Sequence, residues 1–250
     1  RSTLFPYTTL FRSLAELAIG IDNTGTHRTG KYQGSVTLSV DNPLGLQDLF
    51  AITIGRNLGG SDPVSIVDDI GDEIDTRHGR SSNWNISCSI PYGSWLLGYQ
   101  GSRYTYHQVI PGYYELYSYS GTVEQHELGL SRVVYRDARR KTTGMLNAWT
   151  RRSRSFIDDA EIDLQRRSTA GWQIGLSHKE HFPASVLELA LSYRLGTGAM
   201  GAMRAPEELF GEGTSRMRIL EFGASYLHPF TIGKRSEEHT SELQSLGRIS

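Results

Sequence analysis

The sequence predicts an all-β chain that forms part of a transmembrane antiparallel β-barrel. Three observations carry the prediction. Apolar and polar residues alternate with period two through segment after segment, the connections alternate between short and long, and no segment keeps a helical period. In such a barrel the apolar row of each strand meets lipid and the polar row lines a wet lumen. Every backbone donor in the lipid zone must then pair with a neighbouring strand, so the sheet has to close.

The elements follow in order. Tyr32, Gly34, Val36, Leu38 and Val40 alternate with Gln33, Ser35, Thr37, Ser39 and Asp41, until Asn42-Pro43-Leu44-Gly45 breaks the strand as a turn. Phe50, Ile52 and Ile54 oppose Ala51, Thr53 and Gly55, and a long polar stretch runs from Gly59 to Ser82. Trp84, Ile86, Cys88, Ile90 and Tyr92 alternate with Asn83, Asn85, Ser87 and Ser89, with Tyr92-Gly93 turning into a strand from Trp95. Further strands are expected over 114–135, 142–157, 160–181, 186–195 and 217–229. Trp172, Ile174 and Leu176 face away from Gln173, Gly175 and Ser177, as do Leu187, Leu189, Leu191 and Tyr193 from Glu188, Ala190, Ser192 and Arg194. Short connections fall near 42–47, 92–94, 136–141 and 182–185, and longer ones near 59–82, 107–113 and 196–216. Outer-membrane barrels sort their connections this way, with turns on the periplasmic side and loops outside.

Composition agrees. The 250 residues carry 26 basic against 27 acidic side chains, which gives no sign of a nucleic-acid partner. A hydrophobic fraction of 38%, a mean hydropathy of -0.39 and the lack of any run of 18 apolar residues exclude a helical membrane span but not a barrel, whose alternating strands average to a soluble value. The 27 Gly, 13 Tyr and 4 Trp suit tight turns and interfacial aromatic girdles, and would also suit a secreted β-sandwich. Cys88 is the only cysteine, so no disulfide or cysteine-based zinc site forms within the chain.

Three domains are expected. Residues 1–13, RSTLFPYTTLFRS, and 234–245, KRSEEHTSELQS, resemble translated sequencing adapters. Residues 1–13 and 234–250 are therefore set aside as artefacts, leaving 14–233 as a partial outer-membrane β-barrel domain. No signal peptide is visible.

Several clusters invite a chemical reading. Gly196-Thr197-Gly198-Ala199-Met200-Gly201 fits a dinucleotide-loop pattern, but no amphipathic helix follows to hold a phosphate, so a surface loop is expected. His178, Glu180 and His181 are metal-ligand types, yet on a strand 178 and 180 share a face that 181 does not, which favours ordinary polarity. Asp158, Asp159 and His107 could serve a barrel enzyme, though no spacing forces them together. Tyr104, Tyr106, Tyr113, Tyr114, Tyr117 and Tyr119 read as an interfacial girdle. The candidate pore and rim residues are Arg136, Asp137, Arg139, Arg140 and Lys141 at a short turn, and Arg151, Arg152 and Arg154 near the outer end of the next strand. Inward arginines would attract an acidic or extended substrate, and outward ones lipopolysaccharide phosphates. No catalytic residue, metal or cofactor is expected.

A family resemblance runs through the same segments. Asp22-Asn23-Thr24-Gly25 with Thr29-Gly30-Lys31-Tyr32-Gln33-Gly34, Leu38 to Leu46 (LSVDNPLGL), Ser102 to Gln108 (SRYTYHQ) and Tyr135 to Thr142 (YRDARRKT) come in family order. Ala205-Pro206-Glu207-Glu208 leading to Gly211 to Arg216 (GEGTSR) completes the series. Together they resemble the barrel of two-partner secretion transporters of the haemolysin secretion/activation group, across essentially all of 14–233. The resemblance implies a bacterial outer-membrane protein that exports a large haemolysin or adhesin partner in extended form, without ATP and without enzymatic activity. It implies a plan of a plug helix, two periplasmic POTRA domains and sixteen barrel strands, of which this chain would hold about the first ten. A passive porin is the alternative reading, and a barrel enzyme a more distant one.

Overall fold

Alternating sequence becomes one continuous antiparallel meander. The structure, a computed structural model, describes residues 14–67, 73–112, 115–232, 235–237 and 240–241. Ten long strands follow one another as neighbours: β1 (Ala15–Asp22), β2 (Tyr32–Asp41), β3 (Leu49–Gly59), β4 (Arg80–Tyr92), β5 (Trp95–Pro111), β6 (Leu116–Arg136), β7 (Arg140–Ile157), β8 (Arg167–Phe182), β9 (Ser185–Thr197) and β10 (Arg218–Leu227). Two short strands, Ala160–Glu161 on β7 and Thr240–Ser241 on β10, bring the sheet to twelve. Val64–Val67 and Glu73–Arg77 form a separate hairpin in the long loop, and Phe230–Ile232 pairs with Arg235–Glu237. The described residues contain no α-helix, only two short 3-10 turns.

The sheet has no dry core. Leu116, Trp149 and Ala170 are the buried hydrophobic residues among those described, whereas Val36, Leu38, Ile54, Ile174 and Leu176 stand exposed on one face. Val36 is 43% exposed and Ile174 61%. A sandwich would bury these rows. Exposed apolar rows backed by polar ones are what a sheet in lipid requires.

The apolar band runs obliquely across the hydrogen-bonded rows. One row joins Ile90, Leu97, Leu130, Leu146, Ile174, Tyr193 and Leu220 from seven successive strands, all on the apolar face. Another begins apolar at Ile19, Val36, Ile54 and Trp84, then turns charged at Arg103, Glu124 and Arg152. Rows perpendicular to the strands therefore climb out of the lipid zone, as they must if strands tilt to close a barrel. On β5, residues 95–103 lie between the rim pairs Trp95–Arg132 and Arg103–Glu124. Nine residues match the roughly 9–11 that a tilted strand needs to cross the hydrocarbon.

Connections sort by side. At one end lie 42–48, 93–94, 137–139 and 183–184, and at the other 23–31, 60–79, 112–115, 158–166 and 198–217. Turn chemistry explains the first set. Asp48, buried at 1% exposure, accepts the backbone N–H of Leu44 and Leu46, Gly45 takes φ 77°, and Gly93 takes φ 59° in its two-residue hairpin.

Two expectations need correction. The long connection near 107–113 is short, because the ladder of β5 and β6 continues past the lipid zone to Pro111 and Leu116. The strand expected over 160–181 is interrupted by a 3-10 turn at Asp163–Gln165, and β8 starts only at Arg167. Within 234–245, Thr240–Ser241 pairs with Leu227 and Tyr226 at the edge of the sheet. The free edge of β10 offers unpaired backbone groups to any chain that folds back beside it. Residues 1–13 lie outside the described residues.

Candidate lumen wall and rim

The polar face gathers one side of each strand into a common wall. Its rows include Thr37 and Thr53, whose hydroxyls lie 2.9 Å apart, Asn147 donating to Glu127 at 2.9 Å, Gln173 donating to Ser192 at 3.1 Å, and Ser192 donating to Glu221 at 3.3 Å. A recess of about 570 Å³ on this face is lined by Ser39, Ser87, Gln100 and Glu127. Such a wall offers hydrogen-bonding hydroxyls, amides and carboxylates from strand to strand. Among the described residues no group of three His, Cys, Asp or Glu side chains is placed to hold a metal. His178 instead bonds Thr142 at 2.8 Å on the opposite face.

The short-turn rim divides the residues that the sequence singled out. Asp137 accepts the N–H of Arg139 and Arg140 at 2.8 and 2.7 Å and the Tyr135 hydroxyl at 2.7 Å. The Tyr135 hydroxyl, followed by those two amides, holds the Asp137 carboxyl below the usual carboxylate range. Arg140 Nε meets Glu180 at 2.7 Å across to β8. Asp137 and Arg140 thus shape the turn. Arg136 and Lys141 face each other in register on the polar side, beside Lys179, which pairs with Glu188. Arg139 contributes its carbonyl to the His181 amide at 2.8 Å.

At the other end, alternation splits the three arginines of β7. Arg151 is in register with Gln125 on the polar face, while Arg152 and Arg154 share the face of Glu124 and Thr122. Arg103 and Glu124 approach to 3.5 Å there, and Arg152 reaches the Met200 carbonyl at 3.5 Å. The tyrosine expectation needs a correction too. Tyr104, Tyr106, Tyr117 and Tyr119 share the polar face of Gln100 and Gln125 rather than a lipid-facing girdle, with Tyr106 and Tyr119 rings 5.9 Å apart. Gly121 beside Tyr106 leaves the space for that ring, and Tyr113 and Tyr114 lie outside the described residues.

The loop after β9 is organised by acidic side chains. Glu208 accepts the Ser215 amide at 2.8 Å, the Ser215 hydroxyl at 3.0 Å and the Thr214 hydroxyl at 3.1 Å, and the Ser215 amide chiefly lowers its pKa. Glu207 pairs with Arg167 at the start of β8. Gly196 to Gly201 leads only into the five-residue 3-10 turn Pro206–Phe210, closed by Gly211 at φ 71°. No phosphate cradle forms there. Sequence reasoning missed these ties and the Trp149–Arg194 contact, although alternation already set Arg194 on the polar face with Glu188 and Ser192.

Ten tilted, antiparallel strands with an exposed apolar band, a polar wall and sorted connections define the wall of an outer-membrane β-barrel. The chain belongs to the haemolysin secretion/activation protein family ShlB/FhaC/HecB, whose family model matches residues 12–245. It is similar to the outer membrane transporter CdiB-2 of Burkholderia pseudomallei strain 1026b, with 31% identity over 214 residues, 85% of this chain and 34% of that protein. The hemolysin transporter protein HpmB of Proteus mirabilis is 25% identical over 199 residues, 79% of this chain and 32% of that protein. The solved structure of CdiB from Escherichia coli superposes with a TM-score of 0.74 at 28% identity, covering 90% of this chain and 39% of that one. The chain therefore spans about a third of the length of these curated relatives. Its place is the bacterial outer membrane, and short turns accordingly face the periplasm.

Proposed function

We propose that residues 14–233 serve as a barrel translocator domain in a two-partner secretion transporter, through which a large secreted protein of the haemolysin or adhesin type crosses the outer membrane in extended form. The observation that carries the reading is the continuous polar wall from Thr37 on β2 to Glu221 on β10. An extended chain exposes amides and carbonyls along its length, and a wall of hydroxyls, amides and carboxylates exchanges hydrogen bonds with them without gripping any one sequence. Arg136 and Lys141 at the periplasmic mouth draw in acidic stretches, and Arg152 and Arg154 on the lipid-facing side meet lipopolysaccharide phosphates. The wall carries no reaction, cofactor or nucleic acid in this reading.

The test replaces the matching segment of full-length Escherichia coli CdiB with residues 14–233 and measures surface delivery of its partner. Delivery should persist, and Arg136→Gln with Lys141→Gln should slow it several-fold while the assembled barrel stays in the membrane. Loss of delivery in the graft despite correct assembly would overturn the proposal. Steady conductance in a planar bilayer with no partner-dependent delivery would favour a passive porin.

A further inference from the structure

The lipid-facing side of the sheet is dented between β6 and β9. Gly144 of β7 faces outward in register with Arg132 of β6 and Leu176 of β8. With no side chain there, a groove of about 660 Å³ opens, bounded by Leu130, Val134, Leu146, Leu176 and Leu191. Val134 is the extra residue of a β-bulge, so it adds an outward side chain without a partner across the ladder. A Cβ on Gly144 would meet Val134 Cγ1 at 3.9 Å and nothing closer, so the dent is open space rather than a packed contact.

The one charged group lining the groove is Arg132, at the end nearer the short turn 137–139. Its guanidinium lies 4.9 Å from the ring centre of Trp95, and among the described residues no carboxylate pairs with it. A tryptophan and an arginine together mark the headgroup level of a membrane. An aliphatic trough that ends on an unpaired cation at that level complements an amphiphile with an anionic head.

We propose that the groove holds an acyl chain of a glycerophospholipid from the periplasmic leaflet, with its phosphate on the Arg132 guanidinium. Lipid A shares the phosphate chemistry but belongs to the opposite leaflet, level with Arg103 and Arg152 at the far end of the band. The inference rests on the membrane placement of this face and not on export, so its failure leaves the export reading untouched.

The experiment purifies the full-length transporter carrying this segment from bilayers of phosphatidylcholine doped with phosphatidylglycerol, and counts retained lipid by native mass spectrometry. Gly144→Leu, which fills the dent, should lower retained lipid several-fold. Arg132→Gln should keep lipid but abolish the preference for phosphatidylglycerol over phosphatidylcholine. A parallel arm supplies lipid A in place of phosphatidylglycerol and should show no retention that depends on Arg132. Heat-modifiable mobility checks assembly, and Arg132→Gln, an exposed change, decides the matter should Gly144→Leu fail to assemble. Unchanged retention and preference in the assembled variants, or Arg132-dependent retention of lipid A instead, would overturn the proposal.

Discussion

The Arg194 guanidinium lies 4.3 Å from the ring centre of Trp149, on the polar face of the sheet. The two residues sit on β9 and β7 and meet across Gly171 of the intervening β8, where a Cβ would come within 2.9 Å of the indole. Trp149 is 3% exposed, the one large aromatic buried among the described residues. A partly desolvated cation–π contact is worth about 1–2 kcal/mol. Arg194→Ala should lower the unfolding free energy of the assembled transporter by about that amount. It should also open Trp149 to iodide quenching, whereas Arg194→Lys should retain part of both. An unchanged denaturation midpoint in Arg194→Ala would show that the contact contributes nothing.

Charge tolerance should differ between the two faces of one strand. Ile174 and Ser177 lie three residues apart on β8, on opposite faces. Ile174→Arg, mid-band, should cost about 2–4 kcal/mol in folding into lipid vesicles, and Ser177→Arg close to nothing. Equal costs measured by urea titration would contradict the lipid-facing assignment of Ile174.

The Glu208 carboxylate gives the loop after β9 an acid limit. Its pKa is lowered mainly by the Ser215 amide, so its contribution to loop order is fully present above the ordinary glutamate value of about 4.3 and is lost as the pH falls through the lowered value. Protease cleavage beside the exposed Leu209 and Phe210 should stay slow down to that ordinary value and accelerate only below it. Glu208→Ala should be cut readily at neutral pH with no acid step. Identical cleavage profiles for the two proteins would remove Glu208 from the account.

Open edges should keep residues 14–233 from forming a pore alone. β1 has a single neighbour, and β10 pairs beyond β9 only with Thr240–Ser241 among the described residues. Each orphan amide or carbonyl in hydrocarbon costs several kcal/mol, so the isolated segment should aggregate or pair edge to edge. Expressed behind a signal peptide in a secretion strain, it should deliver no partner, while the graft into a complete relative should. Delivery by the bare segment would refute this.

What the sequence determined by itself was the period: strands near the observed positions, turns at Asn42 and Gly93, and an apolar row on each strand. Alternation is a local property, readable wherever Val36 follows Ser35 or Ile174 follows Gln173. The rim was legible as a basic cluster, but not that Asp137 and Arg140 are spent on shaping their own turn. Tertiary structure decided that, because Glu180 reaches Arg140 from a strand forty residues on. It also decided that the tyrosines near 104–119 face the lumen side and that Trp149 meets Arg194 over Gly171. These facts depend on register, and a one-residue slip between strands would reverse every facing. Register is fixed by ladders between segments distant in sequence, by the bulge at Val134 and by turn geometry, none of which a single period of alternating residues contains.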